Sequence, residues 1–398
     1  MHIVDSTIGT TARVSQKPGE NGKVIEIDTV LVKVASRCNI NCTYCYVYNM
    51  GDSGWAKMPN HISPETTQAV AKTLDELTRI QTRPFAVVLH GGEPLLLGPT
   101  KLNRVLSELR SAVPSECFFG LQTNGILITE EILDVCFKNR TTVSVSIDGP
   151  KHVHDRGRVG HDALGTYDRV LEGINRLRRH PNAAFLFSGL LAVIDPSSGP
   201  EEVYEFFKTL EPPGIDFLYR DGNHTRLPEG KDSLRSTEYG QWLARLVDIY
   251  LFDQDPLPIR FIDDLIKLTL GGKGTKDGAG LTDFGILVID TDGSITKNDT
   301  LKSSFNGADR FAQEWSVHSN SLKDILSSDE FAASHALQRP TSKICLACPE
   351  LQVCGGGMTL HRWRDTNEYD NPSVYCADQL LLIGNIRNQV AAIQAKCA

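Results

Sequence analysis

The sequence predicts an α/β fold, namely a partial (β/α)6 barrel related to the TIM barrel, with a smaller C-terminal extension. Two observations favour this fold. From Ile25 onward, β-rich runs alternate with helix-like segments at the spacing of β/α units, and about six units can be counted. Polar clusters follow five of the predicted strands, which is where a parallel barrel carries its functional groups. We therefore expect an N-terminal arm over residues 1–24, the barrel over 25–255 and the extension over 256–398.

The elements of the barrel follow from hydrophobic periodicity and from helix start signals. Ser63 suits an N-cap, Pro64 suits the first helical position and Glu65 adds an early acid, so a helix begins there. Strands are predicted over 25–35, 85–89, 117–122, 142–147, 185–194 and 215–219. Helices are predicted over 64–79, 101–112, 130–138, 167–179, 201–210 and 238–253. This alternation implies right-handed crossovers and a parallel sheet.

The pattern changes after about Pro256. A helix is predicted over 259–270. Asp292 and Gly293 then provide the turn of a hairpin between the runs 285–289 and 294–296. A short helix over 328–337 and a C-terminal helix complete the extension.

The composition excludes several classes of protein. The chain has 398 residues, of which 40% are hydrophobic and 23% are charged, and its formal net charge is -8. This acidic balance gives no electrostatic footprint for nucleic acid or for an anionic membrane. No apolar run approaches the length of a membrane span and residues 1–5 do not begin a signal peptide, so we expect a cytoplasmic protein. Seven of the ten cysteines fall into two local groups, which favours metal binding over disulfides.

The first group of cysteines, Cys38-x3-Cys42-x2-Cys45, lies in the loop after the first predicted strand. Three thiolates can bind three irons of a 4Fe–4S cluster and leave the fourth iron open to a small molecule. Zinc is the alternative from spacing alone, but a structural zinc site needs four ligands. A simple electron carrier would ligate all four irons. The spacing therefore favours a cluster with one open iron.

This cysteine group resembles that of the radical SAM superfamily, in which the open iron binds S-adenosylmethionine. After the second predicted strand comes the turn Gly91, Gly92, Glu93 and Pro94, which resembles the GGEP motif of that superfamily. The resemblance implies that this turn holds the methionine amino group and that Tyr44 lies near the adenine. It also implies contacts to the ribose or carboxylate of the cofactor from three polar residues, Asn124, Ser146 and Arg158.

The second group of cysteines lies near the C-terminus and comprises Cys345, Cys348, Cys354 and Cys376. Four thiolates close a site completely, so spacing alone leaves structural zinc open. The group resembles the SPASM extension of radical SAM peptide-modifying enzymes, whose auxiliary clusters are 4Fe–4S. A two-cluster SPASM extension has further cysteines flanking the hairpin and beyond the third cysteine. This chain has Asp283, Asn298, Asp299 and Gly355–Gly357 at those places, so one auxiliary cluster is expected.

Longer strings narrow the resemblance to the cyclophane-forming radical SAM/SPASM maturases, which act on ribosomally made precursor peptides. The strings are Cys45–Asn49 with Trp55, His90 before the GGEP turn, Gln122–Gly125, Val145–Pro150, and Cys354–Gly357 through His361 and Arg362 to Asn371–Cys376. The resemblance implies a precursor peptide as substrate and a flavodoxin or ferredoxin as reductant.

The implied reaction begins when a 5′-deoxyadenosyl radical abstracts a Cβ hydrogen, and the carbon radical then adds to a Trp, Phe, Tyr or His ring. Rearomatisation releases one electron, which the auxiliary cluster could accept, and one proton. Asp221 and His224 are the candidate proton acceptors because their loop follows the last barrel strand. Formylglycine formation of the sulfatase-maturating type and peptide epimerisation are the alternative enzyme functions. An iron–sulfur redox protein is the alternative outside enzymes.

Overall fold

One nine-stranded sheet forms the centre of the structure, a computed structural model. The structure describes residues 25–275 and 277–397, without the side chains of 396 and 397. The predicted arm over 1–24 lies outside the described residues. The strands are β1 (Thr29–Ala35), β2 (Ala86–Gly91), β3 (Phe118–Thr123), β4 (Thr141–Ser146), β5 (Phe187–Val193), β6 (Ile215–Leu218), β7 (Ile286–Ile289), β8 (Ser294–Thr296) and β9 (Trp315–Ser316). Their order across the sheet is β6-β5-β4-β3-β2-β1-β7-β8-β9.

Strands β1 to β6 are parallel neighbours, so the predicted α/β fold with a partial (β/α)6 barrel is confirmed. Strand β6 lies at one edge of the sheet, which leaves the barrel open on that side. The helices of this part are α1 (Pro64–Ile80), α2 (Gly98–Ser111), α3 (Glu130–Lys138), α4 (Lys151–Gly157), α5 (Tyr167–Arg179), α6 (Ala183–Leu186), α7 (Pro200–Thr209), α8 (Glu238–Phe252) and α9 (Arg260–Thr269). The carboxyl ends of the six parallel strands therefore meet at one mouth.

The C-terminal part is made of short helices and one long helix. The helices are α10 (Leu322–Leu326), α11 (Asp329–Ala336), α12 (Lys343–Leu346), α13 (Leu351–Cys354) and α14 (Cys376–Cys397). None of the helices in the described part of the chain is long and apolar enough to cross a lipid bilayer.

The predicted hairpin forms, and it also joins the barrel sheet, which the sequence did not indicate. Strands β7 and β8 are antiparallel and are joined by the turn at Asp292 and Gly293. Strand β7 also pairs in parallel with β1, with Val30 opposite Leu287. The hairpin thus extends the barrel sheet, and the polypeptide after residue 256 lies directly beside the first strand.

Most predicted helices begin where their start signals lie. The Ser63 hydroxyl accepts a hydrogen bond of 3.0 Å from the Thr66 amide at the start of α1. Two regions of the barrel differ from the prediction. Helix α4 was not predicted because only Val153, His154 and Gly157 of its seven residues are buried, so it lacks an apolar period. Residues 183–186 form helix α6, and strand β5 begins two residues later than expected.

The apolar core lies between the sheet and the helices that cover it. Val30, Val32 and Val34 alternate along β1 and are fully buried, and they share one cluster with Leu74 and Leu77 of α1. Burial of each such side chain contributes about 1.5–3 kcal/mol relative to exposure. This packing fixes the strands whose carboxyl ends carry the site.

Candidate active site

One cavity of about 260 Å³ lies at the carboxyl ends of the barrel strands and reaches to the C-terminal extension. It brings together ten of the predicted site residues, which are Cys38, Cys42, Tyr44, Cys45, Gly91, Gly92, Asn124, Ser146, Arg158 and Asp221. Strand ends that are far apart in sequence therefore converge on one space, as the barrel prediction requires.

The cysteine loop is held against the segment that follows α4. The Asn41 amide donates to the Val159 carbonyl at 2.8 Å, and the Thr43 amide donates to the Gly157 carbonyl at 2.8 Å. A side chain at Gly157 would collide with the Tyr44 ring. These contacts fix the loop so that its three thiols face the cavity.

The three thiols are suited to bind metal, which takes the place of the thiol protons. Burial raises the pKa of Cys38 to about 12 and that of Cys45 to about 11, and the nearby Glu93 carboxyl and Cys42 thiol act in the same direction. Buried thiols in this state are unreactive unless a metal stabilises the thiolate. The side-chain Nδ2 of Asn124 lies 3.7 Å from the Cys38 sulfur and can donate to it. Free thiols that share one cavity and have an adjacent donor fit an iron–sulfur cluster with three protein ligands.

The arrangement is not that of a single-ion site. Within the described residues, no three His, Cys, Asp or Glu side chains are placed to hold one metal ion. The thiolates around a 4Fe–4S cluster bind different irons, so they surround a larger group than one ion.

The Gly91-Gly92 turn lies against the start of the cysteine loop. The Gly92 amide donates to the Ala35 carbonyl at 2.8 Å. A Cβ at Gly92 would collide with the Tyr48 hydroxyl and the Arg37 carbonyl, and Gly91 has a φ of 134°. Both positions therefore require glycine, and the backbone of the turn comes close to the cavity.

The structure places Glu93 and Pro94 behind the cavity wall. The Glu93 carboxylate is fully buried and accepts hydrogen bonds from the Leu95 amide at 3.0 Å, the Thr123 hydroxyl at 2.7 Å and the Asn124 amide at 2.8 Å. Burial raises its pKa, and these donors oppose that shift. Glu93 thus joins the turn after β2 to the turn after β3. Its predicted contact with the methionine amino group stays a prediction.

A second polar group joins the cysteine loop to the turn after β4. The Tyr44 hydroxyl donates to the Asp148 carboxylate and accepts a hydrogen bond of 3.0 Å from Arg158. Arg158 also lies 3.8 Å from Asp148, and its Nε atom is buried without a partner among the described residues. Ser146 accepts a hydrogen bond of 2.8 Å from Gln122. Asp148 is therefore the centre of this group, although the sequence analysis gave it no role of its own.

The two predicted proton acceptors occupy different environments. Asp221 lines the cavity, and burial raises the pKa of its carboxyl to about 7, although the nearby Ser303 opposes the shift. A pKa near neutral pH suits a carboxylate that accepts a proton during a reaction.

His224, by contrast, does not line the cavity. Its Nε2 lies 2.7 Å from the Pro372 carbonyl, which can only accept, so Nε2 carries the proton. Its Nδ1 accepts from Arg364 at 3.1 Å. Both ring nitrogens are occupied, which leaves His224 without a free acceptor.

A third residue, His361, was missed as a site residue by the sequence analysis. It lines the cavity with 1% of its surface exposed, and its Nε2 lies 4.0 Å from the Asp221 carboxylate. The string that contains His361 supports the family resemblance, but it gave no signal that this side chain lines a site, because its place depends on the fold of the extension around the barrel mouth.

The four C-terminal cysteines form a second group close to the cavity. Cys345 lies on α12, Cys354 ends α13 and Cys376 begins α14. Burial raises the pKa of Cys354 to about 12, and the neighbouring thiols of Cys376, Cys345 and Cys348 raise it further. The Cys354 sulfur donates to the side-chain carbonyl of Gln379 at 2.9 Å, and Gln379 lines the cavity. The second cysteine group therefore lies directly behind one residue of the cavity wall.

A buried cation favours an anionic group at these cysteines. Arg362 is 1% exposed, and its Nε has no partner among the described residues. Burial lowers the pKa of Arg362 to about 10, and the groups that oppose this are Cys345, Cys354 and Tyr369. A cluster bound by four thiolates carries the negative charge that would pair with this guanidinium. The four cysteines thus fit a closed cluster site.

Comparisons with known proteins agree with this geometry. Residues 32–210 match the sequence model of the radical SAM superfamily. These residues form a radical SAM domain. The predicted cofactors, S-adenosylmethionine and a 4Fe–4S cluster, are those of this superfamily, and Cys38, Cys42 and Cys45 are the residues that would hold the cluster.

The radical SAM domain and the extension together are similar to known proteins over most of their length. A cysteine-type anaerobic sulfatase-maturating enzyme of Clostridium perfringens is 25% identical over 353 residues, which cover 85% of this chain and 90% of that protein. The solved structure "Native anSMEcpe with bound AdoMet" superposes with a TM-score of 0.78 at 20% identity and covers 92% of this chain and 98% of that one. The structure of Streptococcus suis SuiB bound to precursor peptide SuiA superposes with a TM-score of 0.61 at 13% identity. The match covers 89% of this chain and 77% of that one. The structural likenesses show a shared fold.

Proposed function

We propose that this radical SAM enzyme modifies a ribosomally made precursor peptide by joining a side-chain Cβ to an aromatic ring carbon. The observation that carries the proposal is the single cavity with the cysteine loop at one side and the Asp221 carboxyl, of raised pKa, at another. Apolar side chains such as Leu191, Phe217 and Met358 also line this cavity. A peptide side chain can therefore lie between a radical source and a proton acceptor.

The chain supplies binding groups and a proton acceptor for this reaction. S-adenosylmethionine, together with the cluster on the first cysteine group, supplies a 5′-deoxyadenosyl radical when it is bound. The Tyr44, Asp148 and Arg158 group and the glycine turn shape the wall beside it. Crosslinking breaks one Cβ–H bond and one ring C–H bond and forms one C–C bond. One hydrogen atom leaves in 5′-deoxyadenosine, and the other leaves as an electron and a proton, which Asp221 accepts.

The second cysteine group would hold a 4Fe–4S cluster, and the chemistry of such a cluster is one-electron transfer. Cys345, Cys348, Cys354 and Cys376 are the residues that would hold it. The contact of Cys354 with Gln379 in the cavity wall supports an electron acceptor for the crosslinking reaction at this place. A flavodoxin or ferredoxin remains the proposed reductant.

Formylglycine formation is the second candidate function, and the similarity to sulfatase-maturating enzymes favours it. That family pattern has cysteines for two auxiliary clusters. Here Asp299 is 4% exposed, pairs with Lys33 and accepts a hydrogen bond of 3.0 Å from Tyr46. Gly355 has a φ of 66°, and a side chain there would collide with the Gly280 carbonyl. An ion pair and a tight backbone contact thus occupy positions where a second auxiliary cluster would need cysteine ligands. The lack of these cysteines supports crosslinking over formylglycine formation.

Epimerisation is less well supported by the site. It requires a thiol that donates hydrogen to the substrate radical. In the described part of the chain, the cavity is lined by Cys38, Cys42 and Cys45 and by no further cysteine. The three cysteines are the proposed cluster ligands.

The product test uses a precursor peptide encoded beside this chain, coexpressed with it and analysed by tandem mass spectrometry. We expect the loss of two hydrogens, a fragment-free region between the crosslinked residues and no reaction with a hydrazide probe. A hydrazide-reactive aldehyde would replace the crosslinking proposal by formylglycine formation. An unchanged mass with an inverted centre would replace it by epimerisation.

Crosslinking should depend on pH through Asp221. Because its pKa is raised to about 7, the carboxyl is mostly protonated at pH 6 and cannot accept a proton. We expect the crosslinking rate to rise about tenfold from pH 6 to pH 8, as the ionised fraction rises. The check is the ratio of crosslinked peptide to 5′-deoxyadenosine across this range. A ratio that falls with rising pH would contradict the assignment.

A further inference from the structure

The end of the cavity beside β6 contains a polar pair that the proposed reaction uses only in part. The Asp221 carboxylate and the His361 imidazole both line this end, which we call the β6-end subsite. The Asp221 side chain is 17% exposed, and its Oδ1 lies 4.0 Å from the His361 Nε2. This separation is too long for a hydrogen bond.

Both ring nitrogens of His361 are buried without a hydrogen-bond partner among the described residues. An unpaired buried donor or acceptor is unfavourable. Burial and the adjacent Arg362 lower the pKa of His361 to about 3, so the ring is neutral and has one N–H and one acceptor nitrogen. The ring is fixed by edge contacts, with centroids 4.9 Å from Tyr375 and 6.3 Å from Tyr219. An imidazole kept in place and unpaired beside a cavity is unusual, since buried polar groups are ordinarily hydrogen-bonded.

The walls of the β6-end subsite are apolar. Phe217, Phe261 and Met358 line it together with Val193 of β5. Apolar walls beside hydrogen-bonding groups match an aromatic ring that carries a polar atom. The accessible group at that end is the Asp221 carboxylate, which in its ionised form only accepts, so the ring must donate.

We propose that the β6-end subsite binds an aromatic side chain of the substrate that carries an N–H or O–H donor, such as indole. Asp221 accepts the hydrogen bond of this donor, and His361 completes the polar end beside it. A phenyl ring leaves both groups unpaired and binds more weakly. The assignment of the occupant as the ring that is crosslinked rests on the proposed function.

The test is calorimetric binding to the cluster-loaded enzyme with S-adenosylmethionine, at pH 8 and without reductant, so that no turnover occurs. The probes are N-acetyltryptophanamide and its benzothienyl isostere, in which sulfur replaces the indole N–H. We expect the indole to bind at least about tenfold more tightly, which is the effect of one buried hydrogen bond. In the Asp221→Ala and His361→Phe variants this preference should fall below about threefold.

His335→Phe provides a matched control because it makes the same change outside this cavity. It should retain the full preference for the indole. Equal binding of the two probes to the wild type, no binding of either at 10 mM (about the limit of weak side-chain sites), or a preference that survives in both variants would overturn the subsite. A crosslinked peptide in the product test together with equal probe binding would reject the subsite and retain the proposed function. An aldehyde product together with a preference for indole would retain the subsite and reject the proposed function.

Discussion

Replacement of Cys38, Cys42 and Cys45 by alanine is expected to abolish the release of 5′-deoxyadenosine completely. The three thiols line one cavity and are the protein ligands that a cluster with an open iron would use. Without them, S-adenosylmethionine has no iron to bind. The measurement is chromatographic quantification of 5′-deoxyadenosine after anaerobic incubation with dithionite.

The control for this prediction is Cys136→Ala. Cys136 is fully buried in α3, and the rise in its pKa has burial as its cause, so it behaves as a small core residue. This variant should keep its 5′-deoxyadenosine. Formation of 5′-deoxyadenosine by the triple variant at the wild-type rate would show that the cluster is held elsewhere.

The Asp221→Asn variant should separate radical formation from product formation. An amide of nearly the same shape cannot accept the proton released on rearomatisation, so crosslinking should fall at least about a hundredfold. Release of 5′-deoxyadenosine should stay within about twofold of the wild type, because Asp221 follows β6 while the cysteine loop follows β1. The two products are quantified from the same reaction mixture.

The matched control is Asp134→Asn on α3, where the side chain is 74% exposed and pairs with His180 far from the barrel mouth. It should leave both products unchanged. Wild-type crosslinking by the Asp221→Asn variant would remove Asp221 from the role of proton acceptor and would direct attention to other groups at the cavity.

Much of this site could be predicted from short stretches of sequence. The spacing of the cysteine triplet, the need for glycine at Gly91 and Gly92, and the polar residues after successive strands are all short-range signals. The barrel then brings them together because parallel strands end at the same mouth. The same reasoning predicts Asp221 at the barrel mouth, and the residue does line the cavity.

Other features depend on contacts between distant parts of the chain. The pairing of β7 with β1 joins residues about 250 positions apart, and no local pattern indicates it. His224 and Asp221 are near neighbours in sequence, yet the extension covers His224 through Pro372 and Arg364. The same extension brings His361 to the cavity. Proximity in sequence made His224 the second candidate acceptor beside Asp221, whereas the fold of the extension decides which imidazole lies next to that carboxylate, and it is His361.

The most direct test of the account is the iron content of anaerobically reconstituted wild-type protein, measured together with its yield of 5′-deoxyadenosine. Two 4Fe–4S clusters, one on each cysteine group, predict about eight irons per chain and a yield that depends on S-adenosylmethionine and dithionite. About four irons with retained 5′-deoxyadenosine would mean that the C-terminal cysteines do not hold a cluster. Cluster-loaded protein that forms no 5′-deoxyadenosine would contradict the radical mechanism itself and would favour an iron–sulfur redox protein.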